Sequence, residues 1–589
     1  MTTPGPTPST AAELPPAPTQ GFLSWFPGLW VLRHYRRSWL ARDLIAGIVL
    51  TSLLVPAGMG YAEAAGLPAI TGLYATIIPL TVYAIVGPSR IMVLGPDSGL
   101  AALISAAVLT MAGGSAERAV DLASMLAILT GALCVAGGLA KLGFLTDLLS
   151  RPVRVGYMNG IALTVVIAQI PKILGFKAQA SGVLGGSLAI IRGLRAGQTS
   201  LIAVGIGAGS LIIILGLRRL APRIPGILIA VVLATIAVTV FDLAPLISVV
   251  GAVPRGLPLP AIPAVSAAEL SSLAVAAVGI ALVSFADTSV LSRTYAARNG
   301  YRVDASRELM AIGLANVAAG FFRGFPISSS ASRTPVAESA GAKTQLTGVV
   351  GALAITILLA AVPELTTNLP TAALAAVVVA AALRIFDWRS WAVFRRVRRA
   401  DFVLSNLAFL SVAVLGVIPG IGLAVAVSIL DFLRRAWRPH DAILGRAPGV
   451  KGYHDIARYP DARQVPGLVL FRWDAPLFFA NADTFRGRVI DAVEAAEPKP
   501  RWVVVAAEPI TDVDTTAAEM LLELDTELKA RGVELAFAEM KDPVKDRLER
   551  YGLQETIGPG SFFPTIGVAV KAFLEANHTE WVDWEDGVA

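Results

Sequence analysis

The sequence predicts an α-helical membrane protein of about fourteen spans, arranged as a 7+7 inverted repeat with two half-helices meeting at the midplane, followed by a small α/β domain. Three observations predict it. Of 589 residues, 55% are hydrophobic and only 16% charged, and the mean hydropathy of +0.66 lies far to the apolar side of an ordinary soluble domain. Apolar runs such as "LIAGIVLTSLLVPAGM", "LIAVGIGAGSLIIILGL" and "GILIAVVLATIAVTV" recur from Asp43 to Leu433, each near the roughly 20 residues that cross a bilayer. Beyond Leu433 the pattern turns to alternating strands and amphipathic helices.

Residues 1–32 read as a disordered tail and lead-in segment. The opening "MTTPGPTPSTAAELPPAPTQ" is rich in Pro and Thr and lacks the basic start and apolar core of a signal peptide. A transmembrane transport domain is expected over 33–436. Its basic residues gather at the ends of apolar runs: Arg33, Arg36, Arg37 and Arg42, then Arg151 and Arg154, Arg218, Arg219 and Arg223, Arg293, Arg298 and Arg302, Arg395, Arg396, Arg398 and Arg399, and Arg434 with Arg435. Alternate connections ("AEAAGLPAI", "VPELTTNLP", "GVIPGIG") carry neither Lys nor Arg. This is the positive-inside pattern, and an even number of spans then leaves both chain ends in the cytoplasm of a protein set in the cell inner (plasma) membrane. One connection fits it poorly: Lys172, Lys177, Arg192 and Arg195, within 172–198, fall on the expected outer side. The net charge of +6 thus marks contact with membrane lipid, and no nucleic-acid partner is expected.

Two segments are interrupted. The third opens with "VLGPDSGLAALISAAVLTMAGG", where Gly95 and Pro96 break the backbone and too few apolar residues follow for a full crossing. The tenth opens with "RGFPISSSASRTPVAESAGAKTQLTG" and has the same defect. With halves at about 42–243 and 268–434, each interrupted segment is the third of its half, the sequence pointer to an inverted-repeat transporter. The two half-helices then meet head to head, each N-terminus offering unpaired N–H groups and about half a positive charge, which suits an anion. Irregular backbone at that depth is tolerable only where protein or a water-filled cavity surrounds it.

Substrate-binding candidates follow from this placement: Arg333, Ser332, Thr334 and Ser330 on one side, Ser98 and Gly99 on the other. An arginine at the midplane costs roughly 3 kcal/mol on insertion scales unless compensated, either by a passing anion or by a fixed carboxylate such as Glu338 or Asp287. Asp287, in "LVSFADTSVLSRTY", lies inside the eighth segment, where a carboxylate either exchanges a proton with the cavity or serves as a fixed counter-ion. Asp97, in "GPDSG", stands where a helix cap belongs and ranks as a cap first and a coupling residue second. Glu338 joins the coupling candidates. Asp304 reads as another cap and Glu63 as part of a solvent-facing turn.

Several chemistries are excluded. The single cysteine, Cys134, allows no intramolecular disulfide framework, and four histidines without an HExxH pattern argue against a metal centre. "GAKT" at 341–344 lacks the glycines of a phosphate loop, and no Ser/His/Asp arrangement is present, so neither an ATP-driven pump nor an enzyme is expected. No cofactor is expected beyond a coupling ion, a proton or alternatively sodium.

After a linker at 437–446 the α/β domain occupies 447–578, with a C-terminal tail at 579–589. "LVLFRW", "RWVVVAAE" and "VELAFAE" read as strands, and "NADTFRGRVIDAVEAAE", "TTAAEMLLELDTELKARG" and "DPVKDRLERYG" as helices. In "ITDVDTTAAEM", Asp514 or Thr515 caps a helix. Phosphorylation of Thr515 or Thr516 at that helix start would be electrostatically tolerated and would change docking.

These residues resemble the SulP anion-transporter family, the sulfate-permease group with a C-terminal STAS domain. "DLIAGIVLTSLLVPAGMGYAEAAGLPAITGLYATIIP" is similar to the family's first two spans and "GPDSGLAALI" to its third. "ELMAIGLANVAAGFFRGFPISSSASRTPVAESAGAKTQLTG" is similar to its ninth to eleventh, and "FRWDAPLFFANADTF" and "ITDVDTTA" to its STAS signatures. The resemblance implies an anion held between the third and tenth spans by Arg333 and Ser332, coupling to a cation or proton at Asp287, elevator-type motion, and a homodimer involving the STAS domains, which also offer a regulatory protein or nucleotide a site. Pro56-Ala57 departs from the family's Pro-Gln, removing one polar group from the expected site. The function expected is sulfate uptake by proton symport. Sodium-coupled bicarbonate transport, proton-coupled dicarboxylate transport, anion exchange on the same fold, and a receptor with vestigial transport are the alternatives.

Overall fold

The computed structural model describes residues 26–143, 150–176, 182–221, 224–330 and 332–582, and the chain divides into two compact units, Met1–Ser428 and Ile429–Ala589. The first unit opens with α1 (Pro27–Arg33), then α2 (Arg37–Ala64), α3 (Ala69–Val86), the two-residue strand β1 (Leu94–Gly95), α4 (Ser98–Ala112), α5 (Ala116–Leu139), α6 (Arg151–Leu174), α7 (Gly182–Arg195), α8 (Leu201–Leu220) and α9 (Gly226–Val240). From α10 (Ala267–Arg298) the order repeats: α11 (Ala305–Phe321), strand β2 (Ser328–Ser329), α12 (Thr334–Ser339), α13 (Leu346–Ala361), α14 (Thr371–Ile385), α15 (Trp388–Val397), α16 (Arg399–Leu415) and α17 (Val417–Trp437). Each half runs long helix, long helix, short strand with a curtailed helix, two helices, a connector helix and two more. The connectors α7 and α15 aside, these are the fourteen expected segments.

The packing partners also exchange between halves. Helix α2 packs on α13 while its counterpart α10 packs on α5; α3 meets α13 while α11 meets α5; α6 meets α16 while α14 meets α8. The self-related pairs α3·α11, α6·α14 and β1·β2 lie across the repeat axis. Such an exchange is what two halves of opposite sense require. Among the described residues seven helical stretches are long and apolar enough to cross a bilayer unaided. The other segments are shorter or carry polar groups and belong to the membrane only as packed members of the bundle.

Glycine sets how closely the helices approach. At the α5–α11 crossing a Cβ on Gly131 would lie 2.5 Å from Gly313 O, and one on Gly313 would lie 2.7 Å from Gly131 O. Gly138 repeats the motif against Ser306 O and Met310, so the two backbones touch along two turns. In lipid, where apolar side chains gain nothing by leaving water, this contact is the chief attraction available.

Several boundaries differ from those the sequence suggests. Helix α1 (Pro27–Arg33) begins inside the expected tail and lead-in segment of 1–32, with Trp30 buried; most of that segment lies outside the described residues. The misfit at 172–198 has a physical reason. Lys172 Nζ donates to Glu63 O at 2.5 Å and Oε2 at 3.2 Å, so its charge is matched, and Glu63 belongs to an ion pair instead of a free turn. Arg192 and Arg195 ride on the amphipathic α7, whose Leu184, Leu188 and Leu194 are exposed, while Lys177 lies outside the described residues.

The second unit carries β3 (Asp441–Arg446), β4 (Tyr453–Asp455), β5 (Leu468–Trp473), α18 (Ala482–Ala495), β6 (Trp502–Ala506), α19 (Thr515–Ala530), β7 (Glu534–Ala538), α20 (Asp542–Arg550), α21 (Leu553–Ile557), β8 (Phe562–Phe563) and α22 (Ile566–Asn577). One sheet has the order β4-β3-β5-β6-β7-β8, with β5 to β8 parallel and β3 antiparallel to β5. The linker expected at 437–446 is therefore shorter, because Asp441–Arg446 are an inner strand whose Ala442 and Leu444 enter the core. Both sheet faces are covered: Phe471, Val503, Val505 and Phe537 meet α18 and α19, while Leu470, Val504, Ala536 and Ala538 meet α22 through Phe573.

Helices α18 and α19 are clipped by Arg486, whose Nε and Nη2 both donate to Glu527 Oε2, at 3.0 and 2.8 Å. Hydrogen bonds from Arg486, with lesser help from Arg531, hold the Glu527 carboxyl below the usual carboxylate range. A depressed folded-state value adds stability above the unfolded pKa, about 4.3, and loses it as pH falls through the folded value. The difference in unfolding midpoint between wild type and Glu527→Gln should therefore shrink between pH 7 and pH 3. For the bundle, Gly131→Leu should lower the midpoint by several degrees and spread the size-exclusion profile in detergent; an unchanged midpoint and profile would show that the α5–α11 backbones need not touch.

Candidate anion site

The site begins with two backbones that leave regular structure deep in the bundle. Leu94–Gly95 and Ser328–Ser329 pair antiparallel, with Leu94 opposite Ser329 and Gly95 opposite Ser328. Ser330 N continues the ladder to Val93 O at 2.9 Å, and Thr334 Oγ1 accepts from Val93 N at 3.1 Å. Ser329 N donates to Thr288 Oγ1 at 3.3 Å, and Asn316 serves Ile327, just ahead of β2, from both ends, its Oδ1 accepting from Ile327 N at 2.8 Å and its Nδ2 donating to Ile327 O at 3.2 Å. Side chains of α10 and α11 thus stand in for the water that lipid lacks.

From this ladder α4 and α12 depart. Asp97 caps α4, its Oδ1 accepting from Gly99 N at 2.9 Å, as the "GPDSG" pattern suggests. Ser98 and Gly99, the first two residues of α4, are buried beside it. Pro335 occupies the first turn of α12, where a missing N–H costs nothing. The helix starts lie within one side chain's reach of each other, because Arg333 Nη2 donates to Pro96 O at 2.5 Å. Gly95, at φ +147°, lets the backbone pass under the guanidinium: a Cβ there would lie 3.3 Å from Arg333 Nη1.

Arg333 is 2% exposed, and its Nε and Nη1 have no hydrogen-bond partner among the described residues. Around it, Ser330 Oγ accepts from Arg333 N at 3.2 Å and lies 3.2 Å from Ser332 Oγ, while Ser329 Oγ is buried without a partner among the described residues. A guanidinium with two open donor positions and neighbouring hydroxyls is chemically an oxyanion receptor.

A fixed ion pair from Arg333 to Glu338 or Asp287 does not form among the described residues. Glu338 turns away to the C-terminal end of α10, where Arg298 Nη1 lies 3.7 Å and Asn299 Nδ2 3.5 Å from its carboxylate, so the geometry separates it from the site. Asp287 is half-buried on α10 and makes no hydrogen bond or salt bridge with a described residue. In the second unit Asp514 caps α19 through Ala517 N at 2.8 Å and also accepts from Phe479 N at 2.8 Å. Thr515 and Thr516 are exposed at that helix start, with Thr515 Oγ1 3.4 Å from Tyr551 OH.

Two buried carboxylates join the framework without having stood out in the sequence. Asp43, fully buried, accepts from Lys343 N at 2.6 Å, Thr344 N at 3.1 Å, Thr344 Oγ1 at 2.7 Å and Thr347 Oγ1 at 3.1 Å, fixing the turn that follows α12. "GAKT" is thus a docking point for Asp43. Glu308, also fully buried, accepts from Tyr83 OH at 2.5 Å and Ser292 Oγ at 2.9 Å, tying α3, α10 and α11 together. The available signal for both was a carboxylate within or beside an apolar run.

Two inverted halves, paired half-helices and an arginine at their meeting point define a multi-pass membrane transporter for anions. Residues 40–408 match the model of the sulfate permease family and residues 459–569 that of the STAS domain. A probable sulfate transporter of Mycobacterium tuberculosis (strain ATCC 25618 / H37Rv) is 41% identical over 559 residues, 94% of this chain and 99% of that one. The chloroplastic sulfate transporter 4.1 of Arabidopsis thaliana is 31% identical over 93% of this chain and 82% of its own length. In fold, the murine Slc26a9 anion transporter in the inward-facing state superposes with a TM-score of 0.88 at 23% identity, covering 96% of this chain and 97% of that one. The transmembrane domain of the cyanobacterial bicarbonate transporter BicA gives 0.59 at 22% identity, covering 67% and 98%. The chain belongs to the sulfate permease family and is a transporter, not an enzyme.

Gly95→Ala tests the geometry. Forcing a methyl group against the guanidinium at a backbone angle that L-residues avoid stores strain on the order of 1–3 kcal/mol, about a 5- to 150-fold loss of anion affinity if the guanidinium yields. Anion flux should fall by that range while the elution profile stays unchanged; wild-type flux would show that Arg333 need not hold this pose.

Proposed function

We propose that this protein takes up sulfate by proton symport, with the anion bound by Arg333, Ser332, Ser330, Thr334 and the start of α4 at Ser98 and Gly99. The observation that carries the proposal is the buried guanidinium whose Nε and Nη1 have no partner among the described residues. The nearby Asp97 carboxylate is engaged by Gly99 N and makes no hydrogen bond to the guanidinium among the described residues, so Nε and Nη1 stay open to a tetrahedral dianion of matching acceptor geometry. The names of the relatives, sulfate transporters in M. tuberculosis and A. thaliana, support the choice of anion.

Coupling follows from charge. An inside-negative potential opposes a dianion by about 4.6 kcal/mol per 100 mV, so uptake against it needs accompanying cations. Asp287, a half-buried carboxylate in an apolar helix without a bonded partner among the described residues, is the proton carrier in this reading. Asp97 stays a helix cap that shapes the pocket. Alternation of access is of elevator type, one packed group of helices carrying the site past the other. The protein works in the plasma membrane with both termini cytoplasmic, as a homodimer involving the STAS domains, and a partner or a phosphate at Thr515 or Thr516 adjusts its activity.

In proteoliposomes, an imposed inward proton gradient should accelerate radiolabelled sulfate uptake at least tenfold and a sodium gradient should not. Arg333→Ala should remove sulfate uptake altogether, and Asp287→Asn should retain sulfate binding while losing the response to the proton gradient. A sodium requirement without a pH response would replace this reading with sodium-coupled transport; wild-type flux in Arg333→Ala would remove the proposed site.

A further inference from the structure

Helix α15 takes no part in the site and is too short to cross a bilayer, at 10 residues or about 15 Å. The chain leaves α14 at Ile385, breaks its helical path at Phe386 and Asp387, and starts α16 at Arg399. Helix α15 therefore sits where two membrane helices meet the bilayer boundary.

One side of α15 is seated on the protein. Ser390 and Phe394 are buried, Trp391 Nε1 donates to Ser405 Oγ of α16 at 2.7 Å, and Arg151 Nη2 of α6 donates to Ser390 Oγ at 3.2 Å. Phe386, Trp391 and Phe409 make edge-to-face contacts that lock the seat. The other side is open and has two kinds of residue. Trp388, whose ring leans on Phe386 and Trp391, and Val393 and Val397 are 67%, 53% and 76% exposed, and Arg389, Arg395 and Arg396 are exposed among them, with Arg398 and Arg399 just beyond. Arg398 pairs with Asp401 at 3.6 Å, but the other four guanidiniums make no hydrogen bond or ion pair with a described residue.

Positive charge concentrated at a helix end explains orientation in the membrane, but not an exposed Trp and two exposed valines interleaved with the charges. Arg389 and Arg396 are seven residues apart and share one stripe, flanked by Trp388 on one side and by Val393 and Val397 on the other. Apolar side chains on such a face enter the acyl boundary while the guanidiniums stay level with the headgroups, the depth that indole rings also prefer. The planar fork of arginine matches phosphate oxygens bidentately, so the complementary ligand is an anionic phosphodiester. We propose that α15 is a binding site for the phosphate headgroups of anionic phospholipids. Because α14 and α16 both pack on α6, a headgroup held at α15 steadies the three helices together.

The test uses the full chain in neutral detergent, with phosphatidylglycerol, phosphatidylcholine or inorganic phosphate added. Phosphatidylglycerol should raise the unfolding midpoint by about 5 °C over phosphatidylcholine, as a ligand of the native state does. In the fourfold variant Arg389→Gln, Arg395→Gln, Arg396→Gln and Arg399→Gln that difference should vanish, while the midpoint in phosphatidylcholine stays at the wild-type value. Should the fourfold variant fail to fold, Arg395→Gln with Arg396→Gln carries the test, losing about half the shift. Equal wild-type midpoints in the two lipids, a full shift surviving in the variants, or inorganic phosphate alone reproducing the shift would each overturn the proposal.

Discussion

A bilayer core offers no water to a broken backbone, and the membrane unit is organised around meeting that demand at two places at once. The chain breaks at Leu94–Gly95 and Ser328–Ser329, and each break supplies the hydrogen-bond partners of the other. What the two-residue ladder leaves over falls to Thr288, Asn316 and Thr334, polar side chains that an apolar bundle would otherwise exclude. Joining the breaks brings two helix starts together, and Arg333 bridges them through Pro96 O. The candidate anion site is thus a by-product of solving the backbone problem: the same geometry that satisfies the ladder places one guanidinium at the meeting of two helix starts.

The inverted repeat is the economical way to make such a meeting point. Opposite sense in the two halves brings the third segments together head to head, and the packing partners exchange between halves around their meeting point. Glycines at 131 and 313 let the walls close to backbone contact, and Asp43 and Glu308 fix the segments that carry α12 and α11. The asymmetry lies in chemistry. One break carries an aspartate cap and the other an arginine, so the meeting point has one strong cation at one of two similar helix starts.

Much of this was legible from residue types. Gly95–Pro96 and the serine run stand out because small and polar residues interrupt apolar stretches, and Asp97, Asp304 and Asp514 lie at the positions where caps belong and do cap helices. The pairing of β1 with β2 was not legible: two-residue strands have no period, and their partners lie more than two hundred positions apart. Asp43 looks like an ordinary charge at the edge of an apolar run, and Glu308 like a first-turn acid. Only the fold reveals that one docks "GAKT" and the other receives Tyr83 and Ser292. Strand β3 was hidden because "DAILGR" is too short to tell from a linker until β5 lies beside it.

The central claim is that the transported anion rests against Arg333 between the two broken segments, and protection of a neighbouring thiol measures this most directly. With Cys134→Ala removing the buried natural thiol, Ser332→Cys presents a single reactive group beside the guanidinium. Sulfate should slow alkylation of that thiol in a saturable way, and the protection should disappear when Arg333 is also changed to Ala. Alkylation at the same rate with and without sulfate, while the protein still transports it, would contradict the account.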